Sequence, residues 1–297
     1  VSVPVLLVTG FLGAGKTTFI NQLLQGDHGL RIAAIVNDFG SINIDAKLLD
    51  ASADGVIGLK NGCICCSLQG DLLRTLKIVL GQKPSPELIV IEASGVADPA
   101  GIVQSLMDPV LWHSARLEIV ACVIDAPDVN DRVNDPLWQT QLRGSDVLCL
   151  AKTNGLPQDA IASLKARLAI LGKRHVFDLG EKLPLTVLLS GGSLKPRDID
   201  YPPLTDSRFV HLEWEREGQI SMVDFQAVMT ELAPNLLRAK GFLTFCDQPK
   251  GMLFQLVGQR ATLVGSDRTD EGKCQLVLIG DKKNFDVEVA YSLLDRL

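Results

Sequence analysis

Gly10-Phe11-Leu12-Gly13-Ala14-Gly15-Lys16-Thr17 fits the pattern G-x-x-x-x-G-K-[ST], with the apolar run Val3 to Thr9 before it and the helix-forming stretch KTTFINQLL after it. That context is what the motif's chemistry requires. Gly10, Gly13 and Gly15 let the backbone curl so that N–H groups, with that of Ala14 among them, turn inward around phosphate oxygens. The helix N-terminus beginning near Lys16, Thr17 and Thr18 adds partial positive charge. Lys16 reaches the β and γ phosphates, and the Thr17 hydroxyl ligates Mg²⁺. The competing reading, a glycine-rich strand-to-helix turn with a surface lysine, does not account for both flanks being correct.

From Val3 to about Ser190, short β-branched runs alternate with amphipathic stretches: VPVLLVT, RIAAIVN, ELIVIEA, RLEIVACVID, DVLCLAK and PLTVLLS against KTTFINQLL, DLLRTLKIVL and QDAIASLKARLAILG. The alternation predicts an α/β fold, a parallel sheet flanked by helices, as a P-loop nucleoside triphosphatase requires, with the chemistry on loops at the strands' carboxyl ends. At 297 residues the chain has room for two domains. Pro196, Pro202 and Pro203 interrupt the pattern, which gives domain 1–192, linker 193–207 and a smaller α+β domain 208–297. The last is expected to hold an antiparallel sheet, a helix from about Val223 to Leu232, and a final helix from about Asn284 to Leu297.

Lys and Arg number 29 against 35 Asp and Glu, a net charge of −6. Nothing in that balance neutralises a nucleic-acid backbone, so nucleic acid is not the expected partner. No apolar run approaches the roughly 20 residues that span a bilayer, and no basic segment followed by an apolar one opens the chain. The expectation is a cytoplasmic protein without membrane association.

A triphosphatase also needs a carboxylate near Mg²⁺ at the end of a neighbouring strand. Two candidates stand in place, Glu92 in LIVIEASG and Asp125 in VACVIDAPD. Gly95 after Glu92 offers an amide to the γ phosphate, which favours Glu92; Asp125 also reads as a turn former or helix cap. Sequence does not choose between them.

Three of the seven cysteines, Cys63, Cys65 and Cys66, lie within four positions ahead of a helix predicted to start near Ser67. Thiolates at a helix N-terminus have lowered pKa values and bind Zn²⁺ or Cu(I). Three sulfurs leave one position of a tetrahedral zinc shell open, which suits a metal that must leave again. A redox dithiol and buried small hydrophobes are the alternatives. Burial suits Cys122 and Cys149 on strands, and also Cys246 and Cys274.

GFLGAGKTT (Gly10 to Thr18), VNDFGSINID (Val36 to Asp45), GCICC (Gly62 to Cys66), EASGVADP (Glu92 to Pro99) and the C-terminal RAKGFLTF, LFQLVGQR and LVLIGD together resemble the CobW-like metal-chaperone GTPases over essentially the whole chain. The resemblance implies a GTPase that binds GTP and Mg²⁺, carries Zn²⁺ or a similar divalent ion, and passes it to a client metalloprotein. It implies Lys16, Asp38 and Glu92 for catalysis, Thr17, Asp38 and Glu92 around Mg²⁺, and Cys63, Cys65 and Cys66 for the transferred metal. Asp38 and Ser41 stand where the family has Glu, so an accessory metal site would be weaker here.

In the base-recognition segment, Ala151-Lys152-Thr153-Asn154 replaces the family's Asn-Lys-x-Asp. The carboxylate that accepts two guanine N–H groups becomes an amide with one acceptor oxygen, and Ala151 removes a side chain that braces a neighbouring loop. Lys152 still lies along the base, and Ser190-Gly191-Gly192 offers backbone contacts. GTP remains the expected nucleotide, with relaxed purine preference. No arginine is identifiable as a built-in finger, so slow turnover is expected, raised by a homodimer or a client. The competing functions are a nucleotide-gated docking module with structural zinc, a P-loop enzyme using ATP, and a thiol redox switch. His28, His113, His175 and His211 are scattered, and Trp112, Trp138 and Trp214 read as packing or partner-facing residues.

Overall fold

The computed structural model describes residues 2–26, 29–37, 56–59, 64–108, 111, 114–171, 175–181, 209–258, 260–265 and 272–297, with 37, 56–59 and 64–71 described by backbone alone. The chain divides into two compact units, Val1–Leu183 and Pro184–Leu297. The expected linker 193–207, the strand PLTVLLS and the loop Ser190-Gly191-Gly192 lie outside the described residues.

The first unit holds a seven-stranded sheet in the order β3-β2-β4-β1-β5-β6-β7. Its strands are β1 (Val3–Thr9), β2 (Ile32–Asn37), β3 (Val56–Leu59), β4 (Leu88–Glu92), β5 (Ala115–Asp125), β6 (Val147–Ala151) and β7 (Val176–Asp178). Every pairing is parallel. The helices are α1 (Lys16–Gln25), α2 (Ile64–Leu80), α3 (Ala100–Leu106), α4 (Val129–Arg132), α5 (Pro136–Arg143) and α6 (Gln158–Ile170). A parallel sheet is stable when its faces are covered, and the strands are correspondingly apolar: every residue of β4 and β6 is buried. Leu72, Leu76 and Val79 of α2, with Ile102 and Leu106 of α3, pack against Val5, Leu7, Ile89 and Ile91. Trp138 and Leu142 of α5, with Ile161 and Leu168 of α6, pack against Cys122, Ile124, Leu148 and Leu150. Each such side chain, fully buried, contributes about 1.5–3 kcal/mol.

β1 lies between β4 and β5, and the connection leaving β1 runs to β2 on the far side of β4. Chain direction therefore diverges at the carboxyl end of β1, where open α/β sheets bind ligands. The phosphate-loop motif begins there.

The second unit holds a five-stranded antiparallel sheet in the order β11-β10-β9-β12-β8. It is formed by β8 (Phe209–Glu217), β9 (Leu236–Leu243), β10 (Met252–Val257), β11 (Arg260–Gly265) and β12 (Lys273–Asp281), with helices α7 (Met222–Leu232) and α8 (Val287–Leu294). Its core gathers Trp214, Phe225, Phe245 and Phe254, and Phe225 meets Phe245 and Phe254 edge to face at 5.7 and 5.0 Å. α8 starts at Val287 rather than near Asn284, because the Asp286 carboxylate caps it by accepting the N–H groups of Glu288 and Val289.

Candidate functional site

The loop between β1 and α1 is shaped by glycine. Gly10 has φ 138°, and a Cβ there would run into the Val123 carbonyl of β5. Gly15, at φ 100°, caps α1. Both conformations are strained for any side chain, so the tight approach of this loop to β5 needs glycine. Lys16 is 6% exposed. Its Nζ donates to the Gly10 and Phe11 carbonyls, each at 3.1 Å, which holds the ammonium inside the loop. Ala14 is buried, while Gly13 and Thr18 are exposed at the loop and the first helical turn.

The two candidate carboxylates separate. Val8 of β1 is in register with Glu92 of β4, and the Thr17 hydroxyl donates to Glu92 Oε1 at 3.2 Å. Glu92 is 4% exposed. A threonine hydroxyl beside a buried carboxylate is a hard oxygen donor pair of the kind Mg²⁺ accepts. Asp125 instead accepts from Lys152 Nζ at 2.5 Å. Its backbone carbonyl also accepts the Asp128 N–H at 3.1 Å, so Asp125 opens a turn as well.

The loop after β4 closes on the phosphate loop. A Cβ on Gly95 would lie 2.7 Å from Leu12 Cα and 3.0 Å from Lys16 Nζ. Gln141 of α5, fully buried, donates through Nε2 to the carbonyls of Gly95 at 3.2 Å and Ala97 at 3.1 Å. Arg132 stacks over Phe11 with Cζ 4.4 Å from the ring centroid, while its Nε donates to Asp128 at 2.8 Å. Neither Gln141 nor Arg132 belongs to a recognisable sequence pattern, and only the fold brings them to the loop.

At the end of β6, Lys152 takes the left-handed conformation, φ 58°, and its Nζ also donates to the Gly13 carbonyl at 2.9 Å. Asn154 is exposed next to it, and Thr153 between them is buried. Lys16, Thr17, Glu92, Gly95 and Lys152 therefore gather around one loop.

Asp38 and Cys63 lie outside the described residues. Cys65 and Cys66 fall in the first turn of α2, whose backbone starts at Ile64 and not near Ser67. Among the described residues there is no group of three side chains able to hold a metal ion. Cys122, Cys149 and Cys274 are buried as expected, whereas Cys246 is exposed, against expectation: it sits past the end of β9, where strand alternation no longer governs burial. Trp138 and Trp214 are core residues and His211 is exposed; His28, His113 and Trp112 lie outside the described residues.

A glycine-bound loop between a central parallel strand and a helix, with lysine and threonine opening that helix and a carboxylate on the next strand, defines a P-loop nucleotide-binding protein. Residues 4–177 match the family model described as CobW/HypB/UreG, nucleotide-binding domain, and residues 209–297 match that of the cobalamin synthesis protein CobW C-terminal domain. The chain belongs to the CobW family of P-loop proteins. It is 29% identical to the zinc chaperone CobW of Pseudomonas aeruginosa, over 86% of this chain and 81% of that protein. With the zinc chaperone YjiA of Escherichia coli the identity is 31%, over 85% of each. It is 37% identical to the zinc-regulated GTPase metalloprotein activator 1 of Dictyostelium discoideum, over 88% of this chain and 67% of that protein. Among the described residues no helix is long and apolar enough to cross a membrane.

Proposed function

We propose that this chain is a GTP-hydrolysing metal chaperone that takes zinc on Cys63, Cys65 and Cys66 and passes it to a client metalloprotein in the cytoplasm. Its GTPase domain is 1–192, joined by linker 193–207 to a C-terminal domain 208–297. The observation that carries the reading is the Thr17–Glu92 pair beside Lys16, in a chain whose relatives are named zinc chaperones and zinc-regulated GTPases.

The residues share the work as follows. Backbone N–H groups of the loop and of the α1 N-terminus hold the phosphates, and Lys16 offsets charge that builds on the β–γ bridge as it breaks. Thr17 and Glu92, with Asp38 from the segment after β2, would hold Mg²⁺, which neutralises phosphate charge when bound. Glu92 also orients the attacking water. Lys152 lies along the purine, and Asn154 accepts one of its N–H groups. The segment carrying Asp38 responds to the γ phosphate and changes the thiolate shell, so that hydrolysis alters zinc affinity.

A zinc titration of the reduced protein with a GTP analogue, with GDP and without nucleotide, repeated on Cys65→Ala, tests this. The expected result is zinc affinity that differs about 5- to 150-fold between the two nucleotides, with loss of tight binding in the variant. Equal affinity in all nucleotide states refutes the delivery mechanism.

A further inference from the structure

The segment Ala151-Lys152-Thr153-Asn154 has no asparagine at its first position to tie it to a neighbouring loop. A different tie is present. The Thr153 hydroxyl donates to Asp178 Oδ1 at 2.6 Å, and the same oxygen accepts the Gly180 N–H at 2.8 Å. Thr153 is 6% exposed and Asp178 5%. A buried carboxylate with two aligned donors forms stronger, shorter bonds than a neutral acceptor does.

The sheet delivers Asp178 to this place. Leu150 of β6 is in register with Asp178 of β7, and the Leu179 N–H donates to the Leu150 carbonyl at 2.9 Å, continuing the pairing past the strand end. The turn after β7 then runs against the segment. A Cβ on Gly180 would lie 3.0 Å from Thr153 Oγ1 and 3.7 Å from Asn154 Oδ1. Thr153 thus points inward to Asp178, while its neighbours Lys152 and Asn154 are exposed. Lys152 is tied from the other side, by Gly13 and Asp125.

We propose that Asp178 is a positioning residue for purine selection: through Thr153 it sets the placement of Lys152 and Asn154 and brings the Leu179–Gly180 turn beside them. The inference rests on the reading of 152–154 as the base-contacting segment. An amide with one acceptor oxygen discriminates less than a carboxylate with two, so selectivity in this chain depends more on where that oxygen is held. The Asp178–Thr153 tie itself makes no bond to the loop between β1 and α1, where the phosphates are bound, so its loss is expected to fall mainly on the base.

Calorimetric titration of the full chain with GDP, ADP and inorganic tripolyphosphate, for the wild type, Thr153→Val and Thr153→Ser, tests the proposal. Valine keeps the shape of threonine without the hydroxyl; serine keeps the hydroxyl. The wild type is expected to prefer GDP over ADP, and Thr153→Val to lose about tenfold of that ratio. Tripolyphosphate affinity stays within about twofold, and Thr153→Ser retains the wild-type ratio. An unchanged ratio in Thr153→Val, or parallel loss of GDP and tripolyphosphate, overturns the positioning role while leaving the base-contact reading intact. A wild type that binds GDP and ADP equally overturns both.

Discussion

Thr17 and Glu92 lie 75 positions apart in the chain, yet the hydroxyl of one and the carboxylate of the other meet at 3.2 Å. The contact follows from the sheet: β1 and β4 are neighbours, their ends are in register at Val8 and Glu92, and Thr17 follows β1 by one short loop. Glu92 is nearly inaccessible and in contact with a helix-terminal hydroxyl, so its charge is directed at the mouth of the phosphate loop.

Glu92→Gln keeps the size of the side chain and an oxygen that accepts from Thr17, and removes the negative charge. GTP hydrolysis should fall about hundredfold, measured as phosphate release under single-turnover conditions with Mg²⁺. GDP affinity measured without Mg²⁺ should change less than about threefold. Hydrolysis at the wild-type rate in the variant rules out Glu92 as the catalytic carboxylate.

Gly95→Ala tests the closeness of the two loops. The added methyl would lie 2.7 Å from Leu12 Cα and 2.8 Å from Leu12 N, against backbone that cannot swing aside as a side chain does. Overpacking of this kind costs about 1–3 kcal/mol. The melting temperature should drop, and nucleotide binding should weaken at a temperature where the variant is still folded. A variant with wild-type melting and wild-type affinity shows that the loops separate without cost.

Asp125 and Lys152 make a pair of a different sort, with Lys152 about half exposed. Exposed pairs contribute little to folding, about 0–1 kcal/mol, so Asp125→Asn should leave the urea midpoint nearly unchanged. What it loosens is the Lys152 side chain, which spans Asp125 and the Gly13 carbonyl and so links the segment 152–154, proposed to contact the base, to the phosphate loop. GDP affinity should fall several-fold and tripolyphosphate affinity should not. A variant that loses both equally has a disturbed phosphate loop and contradicts this division of labour.

The parts legible in the sequence are those whose signal is local. Gly10 to Thr17 is contiguous, and its flanking strand and helix announce themselves by pattern, so the loop and the α/β class follow. Contacts across the sheet leave no such trace. Glu92 and Asp125 each end an apolar run, Gly95 tilts the reading toward Glu92 without deciding it, and the neighbours of β4 and β5 give the two acids different partners, Thr17 and Lys152. Asp178 ends a three-residue strand, too short for alternation to register, and so its tie to Thr153 could not be anticipated. The helix expected to start near Ser67 has its backbone begin at Ile64 instead, which takes Cys65 and Cys66 into its first turn.

The remaining described cysteines should divide by burial. Burial, reinforced by nearby Cys122, pushes the Cys149 thiol far above its ordinary value of 9.0. Burial also raises Cys274, against a lowering hydrogen bond from the Thr244 N–H. In the folded chain both thiols hold their protons to higher pH than in the unfolded chain, where they ionise as pH passes about 9. The folded state therefore binds more protons above that point. The stability these thiols contribute is full below pH 9 and is lost as pH rises above it. Two measurements check this. Iodoacetamide at pH 8, with peptide mapping, should label Cys246 in the native protein and reach Cys122, Cys149 and Cys274 only after unfolding. Urea midpoints should be level from pH 7.5 to 8.5 in respect of these groups and decline from pH 9 to 10.5, with Cys149→Ala flattening part of that decline. Native labelling of Cys149 at the rate of Cys246 would show that β6 does not hold it in the core.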